Sequence, residues 1–105
     1  MATKNLTAAE FEATTSGEGI VLIDFWADWC GPCVRFAPVY ERVSEKHPDI
    51  TFAKVDTEAE QQLAAQYNIR SIPTLMLFRA GKVVAQRAGA SDAASLRAWI
   101  EQNVG

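Results

Sequence analysis

The segment Trp26-Ala27-Asp28-Trp29-Cys30-Gly31-Pro32-Cys33 holds the only two cysteines of the 105-residue chain, three positions apart. Thiols at that spacing have three chemistries open to them: a structural staple, half of a metal site, or reversible dithiol–disulfide exchange. As a staple, a bridge closing a loop of about four residues gains only ~2 kcal/mol by chain entropy, against ~3 for a 15-residue loop. As a metal site, one Cys-x-x-Cys supplies two of the four ligands that zinc takes. The other candidate ligand is His47, the single histidine, in Lys46-His47-Pro48. That setting reads as a solvated turn at a helix end, which leaves a zinc site shared between two chains as the remaining form of the metal reading. Exchange chemistry needs two thiols close enough to link and unequal enough to act in order.

Position supplies both. Pro32 suits the first turn of a helix, because its missing N–H is one the helix leaves unpaired in any case. Cys30 then sits at the positive end of that helix, where the dipole and free N–H groups favour the thiolate. Cys33, one turn further in, is expected to be recessed. Residues at i and i+3 have Cβ atoms ~5–6 Å apart, within a small adjustment of disulfide geometry. The pair is therefore expected to be an accessible acidic thiol and a less exposed partner.

The flanking sequence must position that pair. Ile20 to Trp26 (IVLIDFW) is a nearly continuous β-branched and aromatic run, as in a strand buried on both faces. From about Cys33 to Lys46, Phe36, Val39, Tyr40 and Val43 recur at helical spacing. Pro38 falls inside that helix and is expected to kink it. Ile50 to Val55 reads as a second central strand, and Thr74–Phe78 and Val83–Arg87 flank Ala80-Gly81 as a hairpin. Thr7-Ala8-Ala9-Glu10 and Thr57-Glu58-Ala59-Glu60 fit capping boxes that open short helices, the second running through Tyr67. Ser91 is placed to cap a last helix with Leu96, Trp99 and Ile100 on one face. Ala2 to Leu6 is a weaker strand with little to bury. Alternating strands and helices predict a layered α/β fold with helices on both sheet faces.

Composition excludes several classes. The formal charge is -3 with acids and bases interspersed, which is no footprint for nucleic acid. No apolar run approaches the ~18 residues of a membrane span. MATKNLTAAEF lacks the apolar segment of a secretory signal. The expectation is a cytoplasmic protein, where structural disulfides are rare, with residues 1–105 forming one domain.

The motif FWADWCGPC, then Ala37-Pro38, Ile69-Arg70-Ser71-Ile72-Pro73-Thr74 and Gly89-Ala90, keeps a characteristic mutual spacing along nearly the whole chain. In these residues the sequence resembles the thioredoxin family. The resemblance implies a thioredoxin fold: a central mixed sheet of about five strands with a C-terminal antiparallel hairpin, flanked by about four helices. It implies a monomer that reduces disulfides in client proteins. Cys30 would attack and Cys33 would resolve the mixed disulfide, forming the Cys30–Cys33 redox-active disulfide. The domain would bind no cofactor or metal; electrons would come from NADPH through a flavoprotein, thioredoxin reductase. Gly31-Pro32 matches the reductant form of the motif.

Asp24 is the one charge inside IVLIDFW. The resemblance places it beneath the disulfide as the acid that helps deprotonate Cys33, with Lys54 of the neighbouring strand as its cationic partner; by pattern alone both remain open to a solvated reading. The resemblance also implies a cis Ile72–Pro73 peptide facing the cysteines, against the trans form that base rates favour. Trp29, Gly31, Pro32, Ile72, Pro73, Gly89 and Ala90 would form the client-binding rim, with the Ile72 backbone pairing to an extended client segment. Trp26 and Trp99 read as core. One departure stands out: after the second cysteine the family usually has a basic and then an apolar residue, whereas here Val34-Arg35 reverses that order. The reversal bears on the acidity of Cys30, the reduction potential and client choice. Rival functions are a binding subunit using the fold as a scaffold, and a zinc-bridged dimer.

Overall fold

The structure, a computed structural model, describes residues 2–104. Strands β1 (Thr3–Asn5), β2 (Ile20–Trp26), β3 (Ile50–Asp56), β4 (Thr74–Arg79) and β5 (Lys82–Ala88) alternate with helices α1 (Ala8–Thr15), α2 (Gly31–Ser44), α3 (Gln61–Gln66) and α4 (Ala93–Val104). The five strands form one sheet in the order β1-β3-β2-β4-β5. β1, β3 and β2 run parallel, and β4 and β5 each run antiparallel to their inner neighbour.

The two faces of the sheet carry separate apolar layers. Val21, Ile23 and Phe25 of β2 meet Phe11 of α1 and Leu63 of α3. Leu22 of β2, with Phe52, Leu75 and Leu77, meets Phe36, Tyr40 and Val43 of α2 and Leu96 and Ile100 of α4. Residues 21 to 25 are all buried, because the period of two in β2 sends alternate side chains into two cores. Trp99 is half-buried against the second layer, as its position in the apolar stripe of α4 predicts.

Element identities agree with the sequence reading, and the differences lie at the ends. α2 begins at Gly31 and takes Cys30 as its N-cap. The helix continues through Pro38, whose absent N–H removes one hydrogen bond of the helix. β1 is a short edge strand, pinned by Glu41 of α2. The Glu41 carboxylate accepts from the Ala2 N–H at 2.6 Å and the Thr3 hydroxyl at 2.7 Å, and these bonds hold its pKa below the usual range.

Two predicted caps are corrected. Thr57 caps no helix: its hydroxyl donates to the Trp26 carbonyl (3.1 Å). The neighbouring Asp56 carboxylate instead accepts from the Glu58 and Ala59 N–H groups. An aspartate bonding two residues ahead makes a turn of its own, so α3 starts only at Gln61. At α4 the Asp92 carboxylate, not Ser91, accepts from the Ser95 N–H (2.8 Å); an ionised oxygen is the stronger acceptor for a helix-end N–H. At Thr7 the predicted box is present, with the Glu10 carboxylate accepting from the Thr7 N–H (3.2 Å).

α3 ends in a left-handed residue, Asn68 (φ 55°). The Ile69 N–H reaches the Ala64 carbonyl and the Asn68 N–H reaches Ala65, the paired bonds of a Schellman stop. That stop turns the chain toward Ile72. The β4–β5 connection is a two-residue turn at Ala80-Gly81 with both φ positive, the geometry that matches strand twist in a tight hairpin.

Candidate redox site at the start of the second helix

Cys30 and Cys33 are joined in a disulfide, with Cα atoms 5.2 Å apart. β2 delivers the chain to Trp26, the Cys30 N–H closes a turn onto the Ala27 carbonyl (3.2 Å), and α2 begins at the next residue. The Cys33 N–H points at Cys30 Sγ from 3.2 Å. An N–H aimed at the sulfur, together with the helix N-terminus, stabilises negative charge there once the bond is reduced. The Ile72 carbonyl oxygen lies 3.7 Å from the same sulfur. All of these contacts fall on Cys30, so the two sulfurs are chemically unequal.

Exposure separates them less than the sequence suggests. Cys30 is 4% exposed and Cys33 1%. The correction has a cause in packing: Ala27, Trp26 and Ile72 pack against the pair, so the Cys30 sulfur is nearly covered rather than projecting. Around it, Trp29 is 66% exposed, and Gly31, Pro32, Gly89 and Ala90 also face solvent. The Trp29 indole N–H donates to the Glu58 carboxylate (3.2 Å), which fixes the ring against the β3–α3 turn. The Ile72–Pro73 peptide is cis. Pro73 itself is buried and Ile72 half-buried. The Gly89 N–H bonds the Pro73 carbonyl at 2.8 Å, and Ala90 lines a groove with Pro32. The structure thus gathers the seven predicted rim residues at one end of the sheet. Pro73 is the exception in exposure.

Asp24 lies deeper on β2 and is fully buried. Neither carboxylate oxygen has a hydrogen-bond partner. Burial pushes its pKa up from 3.8 to about 7, while the charge of Lys54 pulls it down. Lys54 stands beside Asp24 in the parallel register of β2 and β3. Its ammonium lies over the Trp26 ring, 4.3 Å from the centroid, a cation–π contact. The solvated alternative for Asp24 is therefore replaced by a buried acid, and the half-buried Lys54 rests on an aromatic face. Trp26 is half-buried between this lysine and the cysteine cluster.

Three residues near the site carry roles that the sequence pattern hid. Tyr40 is buried with its hydroxyl between the Leu22 carbonyl (3.0 Å) and the Ala53 carbonyl (2.8 Å), tying α2 to β2 and β3. Burial, then the charge of Asp24, raises its pKa well above the usual value. Glu58 reads in sequence as part of a capping box but braces Trp29. Arg35 folds back along α2, and a Cβ built on Gly31 would meet its Nη1 at 3.1 Å. The i to i+4 spacing of a helix is the signal that could have found this contact.

Among the described residues, no group of three or more His, Cys, Asp and Glu side chains gathers as a metal site. His47 lies beyond the far end of the 14-residue α2, ~20 Å of helix from Cys30, and its Nε2 is buried without a partner rather than solvated.

The thioredoxin family model matches residues 2–102. The chain belongs to the thioredoxin family. It is 49% identical over 100 residues to a thioredoxin-named protein of Streptomyces coelicolor, covering 95% of this chain and 75% of that one. It is 44% identical over 100 residues to a thioredoxin of Alicyclobacillus acidocaldarius, covering 94% and 95% of the two chains. Among solved structures, the thioredoxin of Malassezia sympodialis superposes with a TM-score of 0.90 at 34% identity, over 100% of this chain and 96% of that one. Membership agrees with the site geometry: this thioredoxin-family protein is a thiol–disulfide oxidoreductase that works through its Cys30–Cys33 pair. Thioredoxins need no bound cofactor, because the cysteines themselves carry the electrons.

Proposed function

We propose that residues 1–105 form one thioredoxin domain that acts as a cytoplasmic, monomeric dithiol reductant of client proteins. Cys30 is the attacking thiol. Its sulfur bonds to one sulfur of a client disulfide, the client S–S bond breaks, and the second client sulfur leaves as a thiolate that takes up a proton. Cys33 then displaces the first client sulfur from Cys30, so two electrons pass to the client and the Cys30–Cys33 disulfide forms. The observation that carries this order is the Cys33 N–H on Cys30 Sγ at the helix start, which favours thiolate character on Cys30 alone.

Asp24 takes the proton from Cys33 during resolution. A pKa of about 7 suits proton exchange at neutral pH, and Lys54 keeps that value from rising further. Trp29, Gly31, Pro32, Ile72, Pro73, Gly89 and Ala90 form the client surface, with the Ile72 backbone taking an extended client strand. A flavoprotein thioredoxin reductase using NADPH restores the dithiol.

The direct test is turnover of a protein disulfide with dithiothreitol as electron source, wild type beside Cys30→Ser. Turnover by wild type and none by the variant is expected. Binding of a partner at equal strength after both cysteines become serine, without turnover by wild type, would replace this reading with a scaffold role.

A further inference from the structure

The groove beside Cys30 contains charges that the reaction just described does not use. α2 and the segment after β5 enclose it, with Pro32, Phe36, Val39 and Ala90 as apolar wall and Arg35 and Asp92 as its charged residues. The two charges are not equivalent. The Asp92 carboxylate is spent on the Ser95 N–H at the start of α4 (2.8 Å), and Arg87 lies close enough to help hold its pKa low. Arg35 is exposed, and its guanidinium is drawn over Gly31, the residue after the attacking cysteine. Ser91, also in the lining, has a buried hydroxyl with no partner.

From this arrangement we propose that the groove is a specificity subsite for a glutamate of the client chain, close in sequence to the reacting client cysteine. The inference rests on the client-reductant reading above. The walls suit the two methylenes of a glutamate side chain. The guanidinium presents a planar fork that matches a carboxylate. A lysine in the same place would face Arg35 with like charge. The reversal Val34-Arg35 has its consequence here: the cation lies in the groove, while position 34 presents a valine 51% exposed to solvent.

The probe is a set of peptides with one cysteine each, used as oxidised homodimers. They carry Glu, Gln or Lys at one, two or three residues on either side of the cysteine. Dithiothreitol supplies the electrons, and kcat/KM is measured for each peptide. At one or more positions the Glu peptide should exceed the Gln peptide by about three- to fivefold, the scale of a partly exposed ion pair, and the Lys peptide should be poorest. Raising salt to 0.5 M should compress the ratio by screening. Arg35→Gln should bring the Glu-to-Gln ratio close to one, Arg35→Glu should reverse the order in favour of Lys, and Arg35→Lys should keep only part of the preference. A Glu-to-Gln ratio of one for wild type at every position, with all peptides reduced, overturns the subsite and leaves the reductase intact. A Glu preference that survives Arg35→Glu also overturns it. Failure of wild type to reduce any peptide overturns the reductant reading instead.

Discussion

Asp24 and Lys54 stand side by side on adjacent parallel strands, yet the lysine ammonium is held over the Trp26 ring and the carboxylate is left without a hydrogen bond. A charge in that position is under-compensated, and burial dominates its titration. An acid buried this way costs stability when ionised.

The sign of its pH dependence follows. The folded-state pKa of about 7 lies above the ordinary value of 3.8, so between these values the folded protein holds a proton that the unfolded chain releases. Stability from this residue is therefore full below pH 4, falls as pH rises toward 7, and levels off above it. At 1.36 kcal/mol per pKa unit the loss is on the order of 4 kcal/mol. Asp24→Asn removes it. Urea unfolding of the oxidised proteins should give similar stabilities at pH 4 and a clear advantage to the variant at pH 8. Parallel curves for the two proteins would place Asp24 in a solvated or paired state.

Asp24→Asn should also slow release of trapped client by removing the proposed acceptor of the Cys33 proton. Lys54→Met isolates the cation's part. Without that charge the Asp24 pKa should move further up, because the only pull downward is gone. A carboxyl carbon titration by NMR reads the shift directly, and the pH at which client release reaches half its maximal rate should rise with it. An unchanged titration would mean that the ammonium over Trp26 exerts no influence on the acid.

The order of the cysteines is tested by trapping. Cys33→Ser keeps the sulfur at the helix start and removes the resolver, so clients should accumulate as mixed disulfides through Cys30. Cys30→Ser should trap almost none, since Cys33 has neither the N–H contact nor the helix-end position. Peptide mapping of the adducts decides between the two. Equal trapping by both single variants would remove the assigned roles.

Tyr40→Phe probes the tie between α2 and the sheet. The substitution keeps the ring among Phe36 and Phe52 and deletes a hydroxyl set between two buried carbonyls. The expected cost is about 1–3 kcal/mol, the scale of a buried hydrogen-bond partner lost, measured by urea unfolding at a pH where Asp24 is protonated. No loss would mean that the two carbonyls are satisfied by the strands alone.

The sequence by itself determined the elements and the chemistry. IVLIDFW could bury both faces only as a central strand, and Cys-Gly-Pro-Cys could open a helix only with Cys30 at its start. Both follow from local rules of period, φ restriction and N–H supply, which act over a few residues and are written in adjacent letters. Tertiary structure decided which partners those residues met. Thr57 and Ser91 are good caps in isolation and lost to Asp56 and Asp92, because a carboxylate nearby accepts the same N–H groups more strongly. Asp24 and Lys54 stayed open to a solvated reading until the register of β2 and β3 set them side by side and packing buried one and laid the other on Trp26. Glu58 became the brace of Trp29, and Arg35 the cation over Gly31, through side-chain reach across a turn and along a helix face. Desolvation and contact over such distances are properties of the packed whole, and no run of adjacent residues encodes them.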